Sequence, residues 1–193
     1  MAAKVTAIIP NLNGVKYLPK CLDSLIDQIQ DLAQIMVIDN GSTDSSVNIM
    51  KSRYPHIRLV QMGENTGFCH AVNVGIRMAE TPYVILLNND TEVKPGFARA
   101  LVEVMERPGN EDVFSVSARM LDMWQPELMD GAGDRFSALG WAFARGKGQK
   151  AEKYDKPAEI FSACGGAAIY RRQVFAKIGL FDELHFAYLE DVD

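Results

Sequence analysis

Amide and carboxylate side chains follow the apolar runs of this sequence at four places. Val5–Ile9 leads into Pro10-Asn11-Leu12-Asn13-Gly14, and Ile35–Ile38 into Asp39-Asn40-Gly41-Ser42-Thr43-Asp44. Ile57–Val60 is followed by Glu64-Asn65-Thr66-Gly67, and Tyr83–Leu87 by Asn88-Asn89-Asp90. Such groups recognise polar ligands through hydrogen bonds, and their oxygens suit hard cations. Asn, Asp and Gly also favour turns and caps, and Asp44 and Thr66 read as caps. That explanation is weaker for Asp39 and for Asn88-Asn89-Asp90, which follow apolar strands without a break.

For these endings to act together, one edge of one sheet must collect them. Leu18, Leu22, Leu25, Ile26 and Ile29 recur at helical spacing after the first run. A helix holding Val47 and Met50, capped by Thr43 or Asp44, follows the second run. Ala71, Val72, Gly75, Ile76 and Ala79 form one helical face after the third. Pro95 suits the first turn of a helix bearing Phe97, Leu101, Val104 and Met105. A fifth strand is expected at Val113–Val116.

This β-α-β-α rhythm with near-continuous apolar strands predicts an α/β fold, a mostly parallel sheet flanked by helices on both faces. Ligands in such sheets bind outside the carboxyl ends of the strands. Residues 119–160, rich in glycine, tryptophan and charge, read as an irregular excursion with a hairpin rather than a separate domain. A strand at Ala167–Tyr170 and a helix at Arg171–Ile178, stopped by Gly179, follow. The expectation is one domain over 1–193.

Bulk properties narrow the function classes. With 193 residues, 48% hydrophobic and 23% charged, the chain suits one globular domain. A net charge of -5 argues against nucleic acid as a partner; a diphosphate would need a metal ion or backbone donors to meet its charge. Cys21, Cys69 and Cys164 suggest neither a disulfide framework nor a cysteine metal site. No run is long enough to span a membrane, and no secretory signal is evident, so a cytoplasmic setting fits best. G-x-G-x-x-G after the first strand, the P-loop and the G-x-S-x-G elbow are all missing. His56, His70 and His185 are scattered singly and read as structural or surface residues.

Ala7–Gly14, Val37–Asp44 and Glu64–Phe68 resemble signature segments of the family-two glycosyltransferases, enzymes of GT-A fold. Leu86-Leu87-Asn88-Asn89-Asp90 sits where that family has a D-x-D-type metal motif. Cys164–Ala168, Phe181-Asp182-Glu183 and Glu190-Asp191 continue the likeness in order along the chain. The resemblance implies transfer of a sugar, with inversion, from a nucleoside diphosphate to an acceptor hydroxyl. A general likeness to rhamnosyltransferase-like members leans the donor towards UDP or dTDP. The acceptor would be a saccharide or a lipid-linked saccharide, with peripheral association at the inner face of the membrane in the latter case.

By the same resemblance, Pro10, Asn11 and Asp39 line the base and ribose pocket, Asp39 accepting the imide N–H of uracil or thymine. Asn65 and Gly67 shape it, and Asn13 and Gly166 belong with the donor-binding set. Asn89 lies against ribose or diphosphate, and Asp90 binds a Mg²⁺ or Mn²⁺ shared with the diphosphate. Asn88-Asn89-Asp90 carries one carboxylate where the motif has two, and Mg²⁺ typically needs only one or two. Asp191 is the candidate base, with Glu190 orienting the acceptor or the base; from the residues alone the pair reads as a charged helix start.

Family members continue beyond this pair, which implies a truncated chain whose Asp191 is poorly held and which binds nucleotide better than it catalyses. Five basic residues against Glu152 between Arg135 and Lys153 read as a solvated loop, or one that folds over the diphosphate. Trp124 and Trp141 read as core filling or as sugar platforms. Two other functions stay open: a non-catalytic nucleotide-sugar-binding module, and a sugar-phosphate nucleotidyltransferase. The latter lacks its glycine-rich basic loop here.

Overall fold

The computed structural model describes residues 4–193. Its main sheet has six strands: β1 Val5–Asn11, β2 Gln34–Asp39, β3 Arg58–Gln61, β4 Tyr83–Leu87, β5 Ser115–Ser117 and, later in the chain, β10 Ala167–Arg171. Their order is β3-β2-β1-β4-β10-β5. β3, β2, β1 and β4 pair in parallel, and β10 runs antiparallel between β4 and β5. The chain thus builds outward from β1 in one direction, then crosses to its other side at β4. Such a reversal leaves a crevice above the carboxyl ends of the two central strands.

Side chains alternate across a strand, and both faces here are apolar. Ala7 and Ile9 of β1, Val37 of β2 and Ile85 and Leu87 of β4 pack with α1 (Leu18–Ile26), α2 (Ser46–Arg53) and α4 (Phe97–Met105). Ile8, Met36, Ile38, Val84 and Leu86 face α3 (Phe68–Met78) and α5 (Arg172–Ile178). Ile8 is fully buried, and burial of such a side chain contributes about 1.5–3 kcal/mol. α3 lies close on it because residue 75 is glycine; a Cβ there would collide with the Ile8 side chain. This double-sided burial is why the strands read as apolar runs.

Several local expectations are corrected. Pro95 precedes α4, which starts at Phe97 behind Gly96 in a left-handed conformation (φ 83°); the proline in a first turn is in α1, at Pro19. The fifth strand is Ser115–Ser117, because Val113 closes a turn onto Asn110. Thr66 caps nothing, since its hydroxyl donates to Asn40 Oδ1 at 2.9 Å. Asp44 does serve the start of α2, accepting the amide of Ser46 at 2.8 Å.

The excursion at 119–160 contains two small antiparallel sheets. β6 (Met120–Leu121) pairs with β7 (Met129–Gly131), and β8 (Asp134–Phe136) forms a hairpin with β9 (Ala142–Ala144). Trp124 and Trp141 are 79% and 71% exposed, so neither fills a core. No helix of the described residues is long and apolar enough to cross a membrane.

Candidate active site

Asn11, Asp39 and Asn40 are polar yet buried, 1%, 3% and 5% exposed, and all three stand at the carboxyl ends of β1 and β2. Burying such groups is costly unless they are bonded, and each is. Asn11 Nδ2 donates to Asp39 Oδ1 at 3.0 Å and to Ser42 Oγ at 3.1 Å. The Ser42 amide donates to Asp39 Oδ2 at 3.1 Å. On the other side of the sheet reversal, Asn89 Nδ2 donates to Asn11 Oδ1 at 2.8 Å. Asn11 therefore joins the loop after β2 to the loop after β4. A carboxylate accepts about four hydrogen bonds, so Asp39 retains capacity for a ligand donor.

The surrounding loops are ordered by amides. Asn13 Oδ1 accepts from the Thr43 and Asp44 amides at 2.8 and 3.2 Å, and the Asn13 amide donates to Ser42 Oγ at 2.9 Å. Asn40 Oδ1 accepts from the Thr66 amide at 3.0 Å, while its Nδ2 donates to Asn65 Oδ1 at 3.1 Å and to the Gly67 carbonyl at 3.0 Å. Asn65 Oδ1 also takes the Gly67 amide at 3.1 Å. Pro10 precedes Asn11 in β1, half-buried. Thus Pro10, Asn11, Asn13, Asp39, Asn65, Gly67 and Asn89 all fall at this edge. Ser42 and Asn40 are equally central. Their signal was their place in the polar run after β2, where turn chemistry explained them as well.

Asp90 is exposed beside Asn89. The Asn88 amide donates to the Gly166 carbonyl at 2.9 Å, and the neighbouring Gly165 amide donates to Asp191 Oδ2 at 3.0 Å. One glycine pair thereby brings the β4 loop and Asp191 together. The Gly165 amide is the hydrogen-bond donor to the Asp191 side chain, and no helix forms around the residue. Glu190 lies beside it with Oε2 buried and unpartnered; burial, then the Asp191 charge, raises its carboxyl above the usual range.

Asp134 of β8 was missed by sequence reasoning. Ligand atoms of Asp134, Cys164 and Asp191 lie within 4.8 Å of one another, and burial followed by Asp191 raises the Asp134 carboxyl. An aspartate in a glycine-rich stretch gives no warning of this. Burial also pushes the Cys164 thiol up to about 11, and a soft sulfur ligand suits Mg²⁺ or Mn²⁺ poorly. The hard oxygens of the Asn88-Asn89-Asp90 turn suit Mg²⁺ or Mn²⁺ better. A cavity of about 460 Å³ adjoins Glu190 and Asp191 and is walled by Phe114, Phe161, Tyr170 and Phe175.

A sheet of this order, with buried polar side chains at its reversal, is the α/β frame that binds ligands outside the carboxyl ends of its strands. Residues 6–179 match the model of Glycosyl transferase family 2, and the chain belongs to that family. It is 29% identical over 200 residues to N-acetylglucosaminyl-diphospho-decaprenol L-rhamnosyltransferase of Mycobacterium tuberculosis, covering 92% of this chain and 64% of that protein. The structure of S. aureus TarS 1-349 in complex with UDP superposes with TM-score 0.67 at 20% identity, over 98% of this chain and 53% of that one. That of GalNAc-T7 with UDP, GalNAc and Mn²⁺ gives TM-score 0.74 at 17% identity, over 97% and 39%. The fold is GT-A-type. The chain spans less than two thirds of each of these proteins.

Proposed function

We propose that this site transfers a sugar, with inversion, from a nucleoside-diphosphate donor to a hydroxyl of a saccharide or lipid-linked saccharide. UDP or dTDP is the favoured carrier. The observation that carries the reading is the Asn11 amide, which ties Asp39 to Asn89 across the sheet reversal. Asp39 accepts the imide N–H of the base, within a pocket shaped by Pro10, Asn13, Asn65 and Gly67. Asn89 and Gly166 border the ribose and diphosphate. A lipid-linked acceptor places the enzyme at the cytoplasmic face of a membrane.

Asp191 takes the proton of the attacking hydroxyl. The acceptor hydroxyl oxygen forms the new bond to the anomeric carbon as the bond to the diphosphate breaks, and the diphosphate leaves with the electron pair. The Gly165 amide fixes one Asp191 oxygen and leaves the other for the proton. Such a base contributes roughly 100- to 10,000-fold in rate. Glu190, alongside, orients the acceptor. Asp90, with the amide oxygens beside it, would hold a divalent cation, which would supply charge neutralisation for the leaving diphosphate.

The test is thermal stabilisation by UDP, dTDP, GDP and NAD, each with and without Mn²⁺. A ligand at ~100 times its dissociation constant stabilises by about 2.7 kcal/mol. The expected result is a shift with UDP or dTDP that grows with Mn²⁺, fades in Asp39→Ala, and loses its Mn²⁺ dependence in Asp90→Ala. Equal response to NAD, or none to any nucleotide, would count against the reading.

A further inference from the structure

Phe181-Asp182-Glu183 stood out in the sequence, yet none of its residues has a part in the chemistry above. All three are occupied in bending the last dozen residues back along α3. Asn73, 1% exposed, donates from Nδ2 to the Phe181 carbonyl at 2.8 Å and accepts the Phe181 amide at 3.2 Å. Asp182 makes a turn, its Oδ1 taking the Leu184 amide at 2.9 Å and its carbonyl the His185 amide at 3.1 Å. Glu183 then meets one face of α3. Its Oε1 accepts from Asn73 Nδ2 at 3.0 Å and Arg77 Nη2 at 3.2 Å, and its Oε2 pairs with His70 Nδ1 at 2.7 Å. Residues 70, 73 and 77 share that face by helical spacing.

Beyond the clamp the chain has little to hold it. The Phe186 carbonyl accepts the Phe68 amide at 2.7 Å, one of the unpaired donors at the start of α3. Tyr188 and Leu189 then take positive φ, 74° and 64°, uncommon for residues with a side chain. Asp191 follows at once and docks on Gly165. No strand or helix stabilises 181–193; its path rests on these contacts and, at its start, on the Phe181 ring packed against Tyr170 and Phe175 at 5.9 and 5.6 Å.

We propose that Glu183 is a positioning residue: by clamping the returning chain to His70, Asn73 and Arg77, it keeps Asp191 at the Gly165 amide. The Asp191 role rests on the transferase reading, whereas the clamp itself does not. Cys164 offers a direct reporter, since its sulfur lies within 4.8 Å of the Asp191 carboxylate while Cys21 and Cys69 are fully buried. Cys164 is only partly covered in the folded chain, and release of the segment should expose it further.

The experiment compares thiol labelling of the intact chain with Glu183→Ala and Glu183→Gln, Cys164→Ser identifying the labelled site. Glu183→Ala should raise Cys164 labelling about tenfold, as for loss of a local closure, while UDP-induced stabilisation in Mn²⁺ stays as in the parent chain. Glu183→Gln keeps an oxygen for Asn73 and Arg77 and should recover part of the protection. Unchanged labelling in Glu183→Ala overturns the proposal. So does a collapse of melting temperature and UDP binding together with labelling, which marks a general structural role. If the parent chain binds no UDP, the transferase reading fails, and labelling with its rescue by glutamine still decides the clamp.

Discussion

Asn11→Asp exchanges one NH₂ for oxygen at the junction of the proposed donor site. The native amide donates to Asp39 Oδ1 at 3.0 Å and accepts from Asn89 at 2.8 Å. The substitution keeps the shape and the Asn89 contact but turns an acceptor towards an acceptor. Two ionised carboxylates at that spacing repel by about 5 kcal/mol at an effective dielectric of ~20, and Asp39, 3% exposed, has little water to screen it. One shared proton relieves the repulsion and restores a hydrogen bond. The folded variant then holds a proton that its unfolded chain releases above about pH 4.

A carboxyl whose folded pKa is raised contributes stability that is complete below the unfolded value and is lost as pH rises. The loss is about 1.4 kcal/mol per unit until the folded pKa is reached. Repulsion of about 5 kcal/mol sets that window at roughly three to four units. Urea denaturation should therefore find Asn11→Asp near the parent chain at about pH 4.5 and about 3–4 kcal/mol weaker at about pH 7.5. Asn11→Ala removes a hydrogen bond to a charged acceptor and should cost about 1.5–3 kcal/mol at either pH. An equal cost of Asn11→Asp at both pH values would refute the reasoning, because it would mean Asp39 is open to water or not in contact.

Two further outcomes concern Gly67 and Glu190. Gly67 has φ 86°, and a Cβ would stand 2.7 Å from the Phe186 carbonyl; Gly67→Ala should cost about 1–3 kcal/mol in denaturation and increase Cys164 labelling, and an unchanged midpoint would refute the contact. Glu190 keeps an unpartnered buried oxygen and a raised pKa, caused by burial and then Asp191. Its protonated form is favoured on folding, so the stability it lends is present below the ordinary carboxylate range and lost as pH rises through the raised value. Glu190→Gln should thus stabilise by about 1 kcal/mol at neutral pH, the low end for an unpaired acceptor because the residue is half-buried, and by less in acid. Stabilisation that is the same in acid and at neutrality would contradict the cause given.

The sheet was legible because its strands are buried on both faces, which leaves unbroken apolar runs such as Tyr83–Leu87. Element ends were less so: Pro95 fits a helix start by propensity, but the left-handed Gly96 sets the actual entry. The polar strand endings were legible as a group, whereas their internal roles were not. Asn40 reads like Asn13, yet one is buried and stitches loops across β2 while the other is exposed. Asp134 could not be read at all, because the pairing of β8 with β9 and its bridge to Ser162 bring it to Asp191. Glu183 was visible as a motif letter without a purpose until α3 supplied His70, Asn73 and Arg77 as partners.

The two halves of the site differ in what holds them, and that difference bears on function. The Asn11–Asp39–Asn89 junction grows from the ends of central strands, where opening would disrupt the sheet core, so it belongs to the most stable part of the fold. Asp191 hangs on a segment without strand or helix, fixed by a partly exposed clamp, one carbonyl at the start of α3 and one glycine amide. Local opening there frees the turn at Gly67 and Phe68 but leaves the Asn11–Asp39–Asn89 hydrogen bonds in place. Loosening the clamp should therefore act on turnover through the time Asp191 spends at Gly165, and leave the affinity for UDP almost untouched. On the proposed transferase reading, a base carried on a returning segment would also let the acceptor side rearrange around a donor that is already bound, which a base rooted in a strand end would not allow.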